Sequence, residues 1–265
     1  MEAPDPLKAP FKKKPAAGGQ GNATYAGMIS SLDANVGKVL ATLRELQLEE
    51  NTLVIFSSDN GGVGGYRREG IGGSDITDNA PLKGGKGMLY EGGIRIPYIF
   101  RWPGHIESGT ACDLPVNSVD LYPTLLEVAG AKPPENHLLD GSSYFGILGG
   151  RPAGARSPLF WHFPGYLGAG GKTWRMTPGG AIRDGDWKLV EFFEDGRQEL
   201  YNLKDDLGEK HNLAAANPDK AAELHRKLVQ WRQELKAPMP QPMIAADREK
   251  SKGKRGHKAQ EGNDE

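Results

Sequence analysis

The sequence holds one cysteine, Cys112, in 265 residues. That excludes a disulfide framework and any metal cluster built on thiolates. It also lacks a long apolar run, since nothing approaches the ~20 consecutive apolar residues of a membrane-spanning helix. The opening Met1-Glu2-Ala3-Pro4-Asp5-Pro6 has neither a basic start nor an apolar stretch, so no signal peptide is expected in it. A charge excess is missing too: 33 Lys+Arg stand against 34 Asp+Glu, a formal net charge of -1. Neither nucleic acid nor an anionic membrane is expected as a partner on that balance. No internal repeat is visible, and His105, His137, His211 and His225 have none of the spacings of a metal site.

Hydrophobic residues make up 37% and charged residues 25%, enough for a globular core in one large domain or two modest ones. The 37 glycines and 19 prolines predict long loops and many turns. Residues 1–24, rich in Pro, Lys and Gly, read as an extended lead-in. Over 25–47, Met28, Ile29, Leu32, Val36, Val39, Leu40, Leu43 and Leu46 form one helical stripe, with Asn22 or Thr24 placed to cap it. The unbroken apolar run 52–57 predicts a strand of parallel type, buried on both faces, and 94–100 a second. A Gly-rich loop, 63–92, joins them, and loops of that length are usually functional or disordered. Ser118 to Ala129 reads as a helix with Ser118 as N-cap. Beyond 158 the pattern becomes an antiparallel meander, 180–183, 187–193 and 198–202, with tight-turn residues between the strands. Asn217-Pro218 starts a last helix with Ala221, Leu224, Leu228, Trp231 and Leu235 on one face, and 237–265 reads as a disordered tail. Two parallel-type strands cannot make a sheet covered by helices on both faces, so further strands are expected from elsewhere.

Three constellations carry candidate chemistry. Asp59-Asn60 directly follows a predicted buried strand, where open α/β sheets bind ligands. Their hard oxygens suit Ca²⁺ or Mg²⁺, while Asp-Asn-Gly is equally good turn chemistry. Lys83-Gly84-Gly85-Lys86-Gly87 combines glycines, which let backbone N–H groups approach an oxyanion, with two ammonium groups. It lacks the spacing of a nucleotide P-loop, and a flexible surface loop is its simpler reading. His162, in Phe160-Trp161-His162-Phe163-Pro164, is placed either to contact substrate or to pack half-buried.

Taken in order, these pieces resemble the sulfatase family. The run Tyr25 to Leu40, the segment Asn51 to Gly62, Lys83 to Pro97, Ser118 to Thr124, Arg183 to Leu189, and Leu200-Tyr201-Asn202-Leu203 with Asp205 and Asp206 carry the resemblance over about residues 1–236. It implies an α/β fold: an incomplete alkaline-phosphatase-like parallel-sheet sandwich over 25–157, then a small antiparallel sheet plus C-terminal helix over 158–236. It implies that Asp59 and Asn60 hold a divalent cation, usually Ca²⁺ and otherwise Mg²⁺, that Lys86 binds the sulfate group, that Lys83 lies close by, and that His162 faces substrate. The implied reaction is hydrolysis of an aryl or carbohydrate sulfate ester by a formylglycine nucleophile, in proteins that are often exported. A phosphoesterase or phosphotransferase of the same superfamily, and a non-catalytic binding module, are the alternatives. Asn60 argues against the phosphoesterases, which often carry His there.

The family's Cys/Ser-x-Pro/Ala-x-Arg nucleophile motif does not occur: Cys112 is followed by Asp113-Leu114-Pro115, and Ser157 by Pro158. The early Asp-Asp metal ligands are not found either. Because Ca²⁺ takes about 6–8 oxygen ligands, two residues cannot hold it tightly. The chain alone is expected to be inactive, with a separate N-terminal half as a possible partner.

Overall fold

The computed structural model describes residues 1–72, 75–151, 156–170 and 173–241. The lead-in is not wholly extended: α1 (Asp5–Lys8) is helical, with Pro6 in its first turn. It lies against α2 (Ala23–Glu45), where a Cβ on Gly27 would stand 3.2 Å from the Leu7 backbone. Asn22 caps α2, its side chain accepting from the Tyr25 N–H at 3.0 Å. The predicted apolar stripe is there, yet it faces water: Leu32 is 47% exposed and Val39 57%.

β1 (Val54–Ser57) and β2 (Tyr98–Arg101) form a two-stranded sheet. The pairing corrects the expected parallel arrangement, because the strands run antiparallel with Ser57 opposite Tyr98 and Val54 opposite Arg101. The reason is topological. The whole segment 58–97 leaves and returns at the same end of the pair, closed by Gly61 N–H donating to Gly93 O at 2.9 Å. A parallel partner needs a crossover to the opposite end. The second strand also starts later than 94, since α3 (Glu91–Ile94) is helical and Pro97 precedes the ladder. The apolar run of β1 is only half-buried, and Ile99 on β2 is 58% exposed.

The helix expected over 118–129 begins as a 3₁₀ turn at Ser118–Asp120 and continues as α4 (Leu121–Val128). Its cap is Asn117 rather than Ser118, in a capping box with Asp120. α5 (Phe145–Leu148) follows.

The remaining strands are β3 (Leu159–Phe163), β4 (Leu167–Gly170), β5 (Thr173–Met176), β6 (Gly179–Asp184), β7 (Trp187–Phe192) and β8 (Gln198–Asn202). β6, β7 and β8 are the predicted meander, and β3 adds on the β6 edge to make a four-stranded antiparallel sheet. β4 and β5 form a separate hairpin. α6 (Pro218–Glu234) has Pro in its first turn and packs on one sheet face, where Leu224 and Leu228 meet Ile182, Leu189 and Leu200. Each such side chain, fully buried, contributes about 1.5–3 kcal/mol. By the two-residue period of a strand, the neighbours Ala181, Val190 and Tyr201 point to the other face. There they pack against Tyr66, Met88, Leu89 and Tyr90. The Gly-rich loop is therefore the second layer on the C-terminal sheet, and the core runs across the expected boundary at 157/158. The expectation of a disordered tail falls, beyond residue 241, outside the described residues.

Candidate functional site

β1 delivers the chain to Ser58-Asp59-Asn60 at the end where segment 58–97 is gathered. Ser58 Oγ donates to Asn60 O at 2.8 Å and Asn60 Nδ2 to Gly61 O at 2.9 Å, which fixes the turn. The Asn60 amide oxygen and the exposed Asp59 carboxylate have no described partner. Gly61 is required here, because a Cβ would lie 1.8 Å from Gly92 O.

The Gly-rich loop is bound to this strand end through its backbone. Lys86 N–H donates to Gly62 O at 2.9 Å, and Gly92 N–H to Lys83 O at 2.8 Å. Asn79 Nδ2 bridges Gly62 O and Gly84 O, each at 3.0 Å, and Tyr66 OH donates to Lys86 O at 2.9 Å. These bonds bring the Lys86 backbone to Gly62, two residues beyond Asn60, and leave the Lys86 side chain exposed.

Lys83 points elsewhere. Its ammonium lies 4.0 Å from the Tyr90 ring centroid, donates to Tyr201 OH at 3.1 Å, and sits 3.7 Å from Glu199 Oε2. Tyr90 OH and Tyr201 OH both donate to that same Glu199 oxygen, at 2.8 and 2.7 Å. Burial, then Glu199, pushes both phenols above their ordinary range. His162 lies on β3, with Nε2 2.8 Å from Pro238 O and its ring beside Phe193. No described contact joins it to the Asp59–Lys86 group.

Sequence reading missed the ion cluster that holds the loop to the sheet. Lys188 on β7 is fully buried, 2.9 Å from Glu91 Oε1 and 2.8 Å from Glu209 Oε1. The first contact is a hydrogen bond; the second is an ion pair without hydrogen-bond alignment. Glu209 Oε2 accepts from the Glu91 N–H at 2.7 Å, and Arg95 and Arg183 flank Glu91. The signal was present: Lys188 shares the inward period of Val190 and Phe192, where a charge demands a partner.

These environments give a pH prediction. Burial alone raises a carboxyl, but at Glu91 the Lys188, Arg183 and Arg95 charges outweigh it, and at Glu191 Arg232 and His225 do the same. Both carboxyls are held below the usual range, so the stability they contribute is complete above about pH 4.3 and is lost as pH falls through their lower folded values. Burial raises Glu209, which acts with the opposite sign at higher pH. Thermal melts are expected to fall steeply below about pH 4, and Glu191→Gln to flatten that fall. An unchanged acid limb in the variant contradicts the assignment.

Asp59 and Asn60 offer two unengaged hard oxygens, the donor chemistry of Ca²⁺ or Mg²⁺. They fit as part of a site only, since among the described residues no three His, Cys, Asp or Glu side chains gather as a metal cluster.

This order of α/β elements matches the alkaline-phosphatase-like fold. The structure superposes on Ps i-CgsB in complex with k-i-k-neocarrahexaose with a TM-score of 0.70 at 32% identity, covering 87% of this chain and 46% of that one. Residues 2–131 match the sulfatase family, and residues 85–236 match the family described as N-sulphoglucosamine sulphohydrolase, C-terminal. The chain belongs to the sulfatase family. It is 39% identical over 249 residues to a sulfatase of Formosa agariphila, with 85% of this chain and 42% of that protein aligned. It is 36% identical over 163 residues to human steryl-sulfatase, covering 60% of this chain and 27% of the relative. The chain thus spans less than half the length of each of these three proteins.

Proposed function

We propose that this chain supplies the sulfate-binding lysine and part of the metal-binding shell of a sulfuric ester hydrolase whose substrate is a sulfated saccharide. The observation that carries the reading is the Lys86 N–H to Gly62 O bond at 2.9 Å, which anchors the backbone of an exposed lysine two residues from Asn60. Asp59 Oδ and Asn60 Oδ1 would hold the cation. Lys86 would neutralise charge building on the sulfate oxygens as the ester bond to the alcohol breaks. A formylglycine supplies the nucleophile in the family. Lys83 and His162 take a different role in this reading: they order the loop and the β3 edge, consistent with the partners they already have. The saccharide class rests on the oligosaccharide bound in Ps i-CgsB.

No Cys/Ser-x-Pro/Ala-x-Arg motif lies within residues 1–265, so the chain by itself has no covalent route and turns over no ester. The open stripe of α2 and the exposed Ile99 support a second polypeptide portion, carrying the nucleophile and the remaining metal ligands, as the neighbour of this surface.

Two measurements on the purified chain test this. Aryl sulfate turnover is expected to be absent with or without Ca²⁺. Calorimetric titration is expected to show weak, roughly millimolar Ca²⁺ binding, as for the weakest protein sites, and Asp59→Ala is expected to abolish it. Turnover by the chain, or Ca²⁺ binding indifferent to Asp59→Ala, overturns the reading.

A further inference from the structure

Two large aromatics stand exposed on the β4–β5 hairpin: Tyr166, directly before β4, is 49% exposed and Trp174, on β5, 45%. Single exposed apolar residues are ordinary. These two form a pair, with ring centroids 5.0 Å apart and planes inclined by 52°. Both rings are held from behind. Tyr166 OH donates to Glu194 Oε1 at 2.6 Å, and the Trp174 ring lies over Gly168, where a Cβ would stand 3.8 Å from it. Their orientation is therefore set before any ligand arrives.

The hairpin is anchored on the loop that carries Lys86, at two points, each adjacent to one of these aromatics. Next to Tyr166, Leu167 packs over Gly87, whose φ is +90° and where a Cβ would lie 2.0 Å from Leu167 Cδ2. Next to Trp174, the Arg175 guanidinium lies 4.5 Å from the ring centroid of Tyr66, the residue that donates to Lys86 O. Leu167 and its partner Met176 face inward, while Gly168 and its partner Trp174 face solvent. The hairpin that carries the two exposed rings thus sits directly on the Lys86 loop.

We propose that Tyr166 and Trp174 form a stacking platform for one sugar ring of a sulfated oligosaccharide, a ring neighbouring the one whose sulfate lies at Lys86. The proposal rests on the reading of Lys86 as a sulfate ligand. A pyranose presents a face of C–H bonds with hydroxyls at its rim. An open aromatic face bordered by Glu194 matches that pattern of apolar face and polar edge. A steroid or other wholly apolar group needs enclosure on most sides, which an exposed hairpin does not provide.

The test is fluorescence titration of the chain, in Ca²⁺, with a sulfated neocarrahexaose and with a chondroitin 6-sulfate hexasaccharide, each compared with its desulfated form. At least one sulfated hexasaccharide is expected to bind and perturb tryptophan emission. Trp174→Ala and Tyr166→Ala are each expected to weaken it by about tenfold, while Trp174→Phe, which keeps a ring, stays within about threefold. Both side chains are half-exposed, so the variants are expected to fold, and an unchanged melting temperature verifies it. The desulfated hexasaccharide keeps the Trp174 dependence and loses any Lys86 dependence. Affinities within about twofold of the parent in both alanine variants, or no binding of either hexasaccharide, overturn the platform. Loss on Trp174→Ala with none on Lys86→Ala upholds the platform and overturns the assignment of Lys86 instead.

Discussion

Replacing Lys188 by methionine is expected to cost about 3–5 kcal/mol of folding free energy, because it leaves the buried Glu209 without a counter-charge and Glu91 with only the more distant Arg95 and Arg183. Lys188 is the one cation within 3 Å of both Glu91 and Glu209 among the described residues, and all three side chains are almost wholly buried. Methionine has similar bulk, so a cavity is not the cause. A domain of this kind has about 5–15 kcal/mol in total, so the variant is expected to unfold early in urea. The loop is expected to loosen first, since Glu91 sits at its end and Glu209 accepts the Glu91 N–H. Urea unfolding followed by tryptophan fluorescence gives the magnitude, and amide exchange over residues 83–93 shows where it acts. Adding Glu91→Gln and Glu209→Gln removes the uncompensated charge and is expected to recover part of the loss. A cost under about 1 kcal/mol for Lys188→Met means that the cluster contributes little to the fold.

The second large effect concerns catalysis. With the nucleophile-bearing portion of the Formosa agariphila sulfatase supplied in trans, turnover of an aryl sulfate is expected to appear, and Lys86→Ala to lower kcat by about 10²–10³. The side chain is exposed and its backbone is pinned at Gly62, so in the proposed reading the ammonium is free to reach the sulfate oxygens. Lys83→Ala is expected to behave differently. Its ammonium lies between Tyr90, Tyr201 and Glu199, so its loss appears as a lower melting temperature and a mobile loop before it appears in kcat. A kcat unaffected by Lys86→Ala in the reconstituted enzyme removes that lysine from the chemistry. A fall for Lys83→Ala without loss of stability returns Lys83 to it.

Much of this protein is local and was readable from the residues. Helix α2, its Asn22 cap, the turns at Asp184-Gly185-Asp186 and Glu194-Asp195-Gly196-Arg197, the meander and α6 follow from periodicity and from residues with fixed backbone preferences. Asp59, Asn60 and Lys86 were legible as candidates because hard oxygens after a strand and a lysine among glycines are short-range patterns. The antiparallel pairing of β1 and β2 was not legible, because an apolar run records burial and not direction. Which way β2 runs depends on where a segment of some forty residues closes, here through Gly61 and Gly93. The exposure of the α2 stripe was equally hidden, since periodicity shows that a face is apolar and not what covers it. Only the tertiary structure joined Lys188 to Glu91 and Glu209, and Lys83 to Tyr201 and Glu199. Apart from Lys188 and Glu209, those partners lie about a hundred residues apart or more along the chain. The sequence determined which side chains could bear charge or bind a cation. Long-range packing of the Gly-rich loop on the C-terminal sheet decided that Lys83 turns inward as a brace while Lys86 stays exposed, because an ammonium turned inward is stable only where carboxylates and aromatic faces already surround it.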